Sequence, residues 1–265
     1  MTLGRGREAR RDAAYAALTG GDLAARLGAV YALVELADEW LGEVSLPVGV
    51  RRGHVQGVID RLCAYLRSPL STAADNGPAG ESAGAQGRIQ QAIVEEIHRR
   101  VQHPVASAEG ASLAGAWSGF AFNFSGAVFV CTVNFTGSRW EHEVDFSDCI
   151  FMRDALFSCS TFAGTANFAH SSYRALADFS ESLYQDAAYF GGCTWGRGRQ
   201  LLGMYFPCWR LLLGVPLRGR YRLYRLLLRQ YGGDDVQRLP RRVYRHRVHI
   251  RWGCRPELFS ILRSC

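Results

Sequence analysis

Large aromatic residues recur between positions 124 and 195 at alternating gaps of five and six residues. Neither the 3.6-residue period of a helix nor the two-residue period of a strand produces these gaps. The repeating unit is therefore eleven residues long, and seven units follow one another without a break. The aromatic positions are Phe124, Phe129, Phe135, Trp140, Phe146, Phe151, Phe157, Phe162, Phe168, Tyr173, Phe179, Tyr184, Phe190 and Trp195.

Small side chains stand two positions before these aromatic residues. They are Ala127, Ser138, Cys149, Ser160, Ser171, Ser182 and Cys193 in one series, and Val133, Val144, Ala155, Ala166, Ala177 and Ala188 in the other. Residues two apart in extended backbone point to the same side, and pairs such as Ser-Gly and Ser-Asp after the aromatic favour turns. We therefore predict a β-solenoid whose coils stack large residues on large and small on small. The cysteines of the series are interpreted as small apolar residues.

Three amphipathic helices are predicted upstream of the repeat. They span residues 22–40, 55–67 and 88–101, and Asp22 is the expected N-cap of the first. Residues 69–87 are rich in Gly, Ala, Ser and Pro and are predicted to form a linker. The front of the chain is thus expected to be a small helical unit.

The eleven-residue repeat resembles that of the pentapeptide-repeat proteins, in the variant with an extra residue in every second unit. The central bulky residue of that family corresponds to the fourteen aromatic positions, and its small inward residue to the Ala, Ser, Cys and Val positions. The resemblance implies a right-handed, four-sided β-helix of roughly three and a half coils over 123–199. The helical segment resembles the region that precedes such repeats in some bacterial members.

The predicted organisation has three parts. A helical region at 1–109 contains the linker, a pentapeptide-repeat β-solenoid spans 110–199, and an Arg-rich tail spans 200–265. Residues 1–195 hold 15 Arg and 21 acidic residues, whereas residues 196–265 hold 16 Arg and 3 acidic residues. The basic character of the chain is therefore confined to its tail.

The tail is interpreted as the product of a shifted reading frame. Continuing the register past Trp195 places Leu, Ile or Phe at nine of twelve expected centres. All codons for these residues have T in the second position, so a one-base shift can restore Phe. In the present frame, Arg199, Arg210 and Tyr221 would occupy the narrow inward positions, where an unpaired charge is costly. We expect an irregular or poorly ordered tail; clean resequencing with an intact frame through codon 200 would contradict this interpretation.

The sequence offers no constellation for catalysis. His98 and His103 are five apart and share a helix face poorly, so they are expected at the surface. Glu141, His142 and Glu143 lack further metal ligands at suitable spacing. We therefore predict a protein that is not an enzyme and has no cofactor and no metal site.

A protein-interaction or structural scaffold with an unidentified protein partner is the predicted function. Residues 110–195 carry eight acidic residues and three Arg, so the family resemblance also implies an alternative, a DNA mimic that modulates a type II topoisomerase such as gyrase. A second alternative is a frameshifted, truncated product with reduced or no function. Association with a membrane through an anchor upstream of Met1 forms a third class.

Further expectations concern location and assembly. The N-terminus lacks the apolar segment of a secretion signal, and no apolar run reaches the length of a membrane span. We therefore expect a cytoplasmic protein whose eight cysteines are free thiols. No specific nucleic-acid site is expected, and a homodimer through one end of the solenoid is a further expectation.

Overall fold

Four α-helices precede the repeat region in the computed structural model, which describes residues 2–69, 79–102 and 115–196 and two short strands beyond them. The helices are α1 (Thr2–Gly20), α2 (Leu23–Gly42), α3 (Val48–Arg67) and α4 (Ala79–Val101). Helix α1 packs on α2, and α2 packs on both α3 and α4. Helix α2 begins after Asp22, whose carboxylate accepts a hydrogen bond from the Ala25 amide at 2.8 Å, as predicted for an N-cap.

The helical unit is larger than the sequence pattern predicted. Helix α1 was not predicted, because Ala14 and Leu18 are its only buried apolar residues in the described part and give no clear period. Helix α4 begins at Ala79, so the second half of the predicted linker is helical. The part of the linker at 70–78 lies outside the described residues. The expected apolar stripe of α4 is confirmed, since Ile89, Ile93 and Ile97 are fully buried.

Two-residue strands follow along the repeat region. Their bounds are β1 Phe122–Asn123, β2 Val128–Phe129, β3 Val133–Asn134, β4 Arg139–Trp140, β5 Val144–Asp145, β6 Ile150–Phe151, β7 Ala155–Leu156, β8 Thr161–Phe162, β9 Ala166–Asn167, β10 Ser172–Tyr173, β11 Ala177–Asp178, β12 Leu183–Tyr184, β13 Ala188–Tyr189, β14 Thr194–Trp195, β15 Arg199–Gln200 and β16 Leu211–Leu212.

Each strand from β1 to β11 pairs in parallel with the strand four places later in the chain. This pairing produces four sheets along a β-solenoid of about three coils. Val144 pairs with Ala166 and Ala166 with Ala188, a step of 22 residues that equals two sequence repeats. Each coil therefore lies in register on the next, with like residues stacked on like. The predicted repeat solenoid is confirmed at this level.

The two last strands extend this pairing into the Arg-rich part of the chain. Strand β15 pairs with β11 at the regular step, whereas β16 pairs Leu211 with Ala188, one residue later than the repeat requires. The tail expected to be irregular thus contributes at least one strand to a sheet. Its remaining residues, on which the frameshift interpretation depends, lie outside the described part of the chain.

One residue in every eleven adopts a left-handed backbone conformation at a turn. Gly126, Gly137 and Gly192 have φ angles near 70°. The equivalent positions in the other units hold Asp148, Cys159, His170 and Glu181, with φ angles from 54° to 61°. These positions are the second residues of the predicted turn pairs, and their spacing shows that only one of the two turns in each unit needs this conformation.

Candidate functional site

The predicted ladder residues form four columns of stacked rings inside the solenoid. Phe146 lies parallel to Phe168 with 5.2 Å between ring centroids, and Phe151 lies parallel to Tyr173 at 4.8 Å. The columns are Phe124/Phe146/Phe168/Phe190, Phe129/Phe151/Tyr173/Trp195, Phe135/Phe157/Phe179 and Trp140/Phe162/Tyr184. All of these side chains are buried except that of Trp195, which is half-buried.

Two of the columns also contact each other edge to face across the interior. Phe157 stands at 74° to Phe146 and at 75° to Phe168, with centroid distances of 5.1 and 5.3 Å. This geometry is favourable because the positive edge of one ring meets the negative face of the next. The interior of each coil is thus filled by rings.

In the inward series that runs from Ala127 to Cys193, the Ser and Cys side chains also act as hydrogen-bond donors. Ser171 Oγ donates to the Phe146 carbonyl at 2.6 Å, and Ser160 Oγ donates to the Phe135 carbonyl at 2.7 Å. Cys193 Sγ lies 3.0 Å from the equivalent carbonyl of Phe168. The interpretation of these cysteines as small apolar residues was therefore wrong in part: their thiols replace a serine hydroxyl.

The residue before the first aromatic of a unit has a role that sequence reasoning missed. Asp145 Oδ1 accepts a hydrogen bond from the Ser147 amide at 2.8 Å, and Asn167 Oδ1 accepts one from the Ala169 amide at 3.1 Å. Asn123, Asn134 and Asp178 make the same contact two residues ahead. The recurring Asn or Asp before Phe in the sequence is the signal, because such Asx turns stabilise the corner that follows.

Buried thiols are kept protonated. Desolvation by burial raises the pKa of Cys193 to about 11 and the pKa values of Cys63 and Cys131 to about 12. Thiolates are the reactive species, so these three groups are poor nucleophiles near neutral pH. Within the residues that the structure describes, no cluster of three His, Cys, Asp or Glu side chains could hold a metal ion.

Acidic residues are distributed around the solenoid rather than collected on one side. Asp145 lies in β5 and Asp148 follows it, whereas Asp178 lies in β11, which belongs to a different sheet, and Glu181 follows it. The remaining acids of 115–196 lie at two other corners and are Glu141, Glu143, Asp154 and Asp186. No sheet therefore carries a continuous acidic row in this region.

Glutamine side chains from two helices form hydrogen bonds with backbone groups at the free edge of the first coil. Gln56 of α3 donates to the Ala121 carbonyl at 2.9 Å and accepts from the Ala121 amide at 3.3 Å. Gln90 of α4 donates to the Val128 carbonyl at 2.9 Å and accepts from the Val130 amide at 3.0 Å. A neighbouring strand would offer the same donor and acceptor, so each amide replaces a missing strand at an edge that would otherwise be unpaired.

The other two strands of the first coil are covered in different ways. His98 Nε2 of α4 lies 2.8 Å from the Thr136 carbonyl, just after β3, and its ring meets the edge of Phe135. The amide of Glu141, just after β4, donates to the Ser118 carbonyl at 2.9 Å. The expectation that His98 is a surface residue holds only in part, because its half-buried ring belongs to the contact between helix and solenoid. His103 lies outside the described residues.

A groove of about 660 Å³ lies where α2 and α4 meet the side of the solenoid. Tyr31 of α2 projects into it and is 46% exposed, although its sequence neighbour Val30 is fully buried. The lining is Leu27, Tyr31, Gly84, Gly87, Arg88, Gln91, Ala92, Glu95, Val130, Cys131 and Arg153. Apolar side chains thus remain accessible at the junction of the helical unit and the solenoid.

Comparisons of the chain with protein families, curated proteins and solved structures gave no match. In the described part of the chain, none of the helices has the length and apolar character needed to cross a membrane.

Proposed function

We propose that the protein is a non-enzymatic scaffold that binds another protein through outward side chains of its solenoid and helical cap. The solenoid is proposed to be the right-handed, four-sided β-helix of a pentapeptide-repeat protein. Its four parallel sheets and its 22-residue step support this assignment. The bacterial origin and the cytoplasmic location stay predictions.

The contrast between inward and outward positions carries the proposal. The inward columns repeat nearly the same residues in every coil, whereas the outward column through β2 reads Val128, Ile150, Ser172 and Thr194. Uniform inward positions stabilise the stack. Outward positions that change from coil to coil give each side its own pattern of side chains, as recognition of a partner requires.

The proposal can be tested by placing one arginine on each side of the solenoid. The variants are Tyr189→Arg, Ser172→Arg, Leu156→Arg and Leu183→Arg, one in each of the four sheets and all at half-buried outward positions. A scaffold should capture a defined protein from the native cell, and the variants of one side should lose it while the others retain it. Identical capture by the wild type, all four variants and an unrelated bait would contradict the proposal.

A supercoiling assay with purified gyrase addresses the DNA-mimic alternative. The dispersed acids of the solenoid do not support this alternative, because a duplex presents continuous rows of negative charge. We expect no effect on gyrase at micromolar protein. Inhibition or protection of the enzyme at that concentration would favour the alternative over a general scaffold.

A further inference from the structure

We propose that the groove between α2, α4 and the solenoid binds a short acidic segment of a partner protein, in which a carboxylate lies beside an apolar side chain. This inference rests on the scaffold function proposed above and specifies the surface and the chemistry of the partner.

Accessible apolar surface is the first observation that supports a ligand at this groove. Tyr31 is 46% exposed, and Met152, next in the chain to the lining residue Arg153, is 47% exposed. Met152 also stacks one coil beyond the lining residue Val130, as the register of β2 and β6 shows. An aliphatic or aromatic side chain placed here would remove this apolar surface from water, which favours binding.

Charge at the groove is the second observation. Arg88 on the helical wall and Arg153 on the solenoid wall form no hydrogen bond or ion pair among the described residues. The carboxylate of Glu95 already accepts a hydrogen bond from Gln91 Nε2 at 2.8 Å. Two guanidinium groups therefore remain available for a carboxylate, with which arginine forms strong, directional hydrogen bonds.

The wider charge of the chain restricts what can occupy the groove. Residues 1–195 carry 15 Arg and 21 acidic residues, so the two arginines of the groove suit a short acidic segment better than a long polyanion such as a nucleic acid. The segment 196–265 carries 16 Arg and 3 acidic residues and does not complement two arginines. A short segment with one or two carboxylates matches the two arginines of the groove.

Substitutions at three groove positions test the proposal with little risk to the fold. Arg88→Glu and Arg153→Glu reverse the charge of exposed side chains. Gly84→Leu adds volume at a helical position where a Cβ atom meets nothing within 4 Å, and leucine favours a helix more than glycine does. Arg67→Glu is the matched control, because Arg67 is exposed at the end of α3 and does not line the groove.

The experiment selects binders from a random short-peptide library displayed on phage, with the full-length protein as bait. The enriched peptides are then synthesised, and their affinities are measured by fluorescence anisotropy. We expect them to contain Asp or Glu next to Leu, Phe or another apolar residue. We expect each groove variant to bind the enriched peptides about tenfold or more weakly than the wild type does, and Arg67→Glu to bind them as the wild type does. Peptides in which Asp is replaced by Asn, or Glu by Gln, should bind the wild type as weakly as the enriched peptides bind the groove variants.

Several results would overturn the inference. One is enrichment of peptides without acidic residues, and another is equal affinity for the wild type and all three groove variants. If sedimentation velocity shows that the wild type is a dimer and that Arg88→Glu and Arg153→Glu are monomers, the groove binds a second copy of the chain instead. If the groove variants still capture a cellular partner that a variant on one side of the solenoid loses, the groove is not the binding site, whereas the scaffold function is supported. If no bait captures a partner, the scaffold itself fails.

Discussion

Serine and cysteine occupy equivalent positions of the inward series from Ala127 to Cys193, and each carries one small donor. Ser171 makes two hydrogen bonds with the backbone. Its Oγ donates to the Phe146 carbonyl at 2.6 Å and accepts from the Cys149 amide at 3.2 Å. Both backbone groups belong to the preceding coil. A single hydroxyl therefore joins two coils in a region without access to water, where an unpaired backbone group is costly.

Replacing Ser171 with alanine should lower the free energy of unfolding by about 1–3 kcal/mol, because a buried amide and a buried carbonyl lose their side-chain partner. Ser172→Ala is the control, since Ser172 is the neighbouring outward residue and should change stability by less than about 0.5 kcal/mol. Urea unfolding followed by circular dichroism measures both. Equal stabilities of the two variants would show that the hydroxyl bridge contributes nothing.

We expect that Gly126 is required because its φ angle is positive, and not because a side chain would lack space there. Its φ is 72°, and a Cβ atom built there meets nothing within 4 Å. Gly126→Ala is therefore expected to destabilise the protein by about 1–2 kcal/mol through the left-handed conformation alone. Gly191→Ala should not, because Gly191 has equally open space and no positive φ. Thermal unfolding of both variants checks this, and a stable Gly126→Ala protein would contradict it.

At the scale of elements, the helical unit closes one end of the solenoid. Helix α3 packs against β1 and β2 and α4 against β3, and each of these helices provides a glutamine that pairs with backbone of the first coil. Terminal repeats of a solenoid expose a strand edge and an apolar end unless something covers them. The helices therefore protect the first coil from pairing with other chains.

Loss of the Gln90 amide should expose this edge. Gln90→Ala removes two hydrogen bonds from a fully buried position and should lower stability by about 1–3 kcal/mol. The Val130 amide should also exchange its hydrogen faster, which hydrogen–deuterium exchange resolves. Gln91→Ala on the same helix serves as control, because Gln91 forms a side-chain hydrogen bond only with Glu95 in the part of the chain that the structure describes. Unchanged exchange at Val130 in Gln90→Ala would refute the role of the cap.

Contacts between α1 and α2 should weaken in acid. Hydrogen bonds from Ser45 and Arg7 lower the pKa of Glu43 to about 2, and a hydrogen bond from Arg10 lowers the pKa of Glu39. Both folded values lie below the unfolded value near 4.3, so their stabilising effect is present above that pH and is lost as the pH falls towards 2. Urea midpoints should decline over this range. Glu43→Gln should show a shallower decline, and identical slopes would contradict the assignment.

The sequence predicts those contacts that join equivalent residues of successive coils, because these residues are of the same kind. Phe146 stacks between Phe124 and Phe168, so an eleven-residue period in the sequence already contains the contact. Gln90 could not be identified in this way, because its partner is backbone in another element and a helical glutamine usually indicates a solvated surface. The exposure of Tyr31, within the amphipathic helix predicted at 22–40, could not be foreseen, because the groove that leaves it open is formed by residues distant in the chain.

At the scale of the whole molecule, stacking places ionisable groups where they cannot ionise without unfolding. Desolvation raises the pKa of Tyr173 well above its usual value, raises the pKa of Tyr184, and raises that of Cys193 to about 11. Tyr173 stacks on Trp195 of the next coil, and Tyr184 meets Phe190 edge to face. Because each coil is stabilised mainly by its neighbours, ionisation in one coil should affect the stack as a unit.

The solenoid should therefore unfold cooperatively in alkali. A folded pKa above the unfolded value means that stability is complete below the unfolded pKa and declines above it, which is near 8.5 for cysteine and 10 for tyrosine. Tyrosinate absorbance should rise for the interior tyrosines in the same step in which circular dichroism reports loss of structure, since the phenols of Tyr173 and Tyr184 are buried. Substituting both with phenylalanine should remove that part of the absorbance and move the unfolding midpoint to higher pH. Interior tyrosines that ionise while the dichroism stays native would show that single coils open independently, which would contradict this prediction.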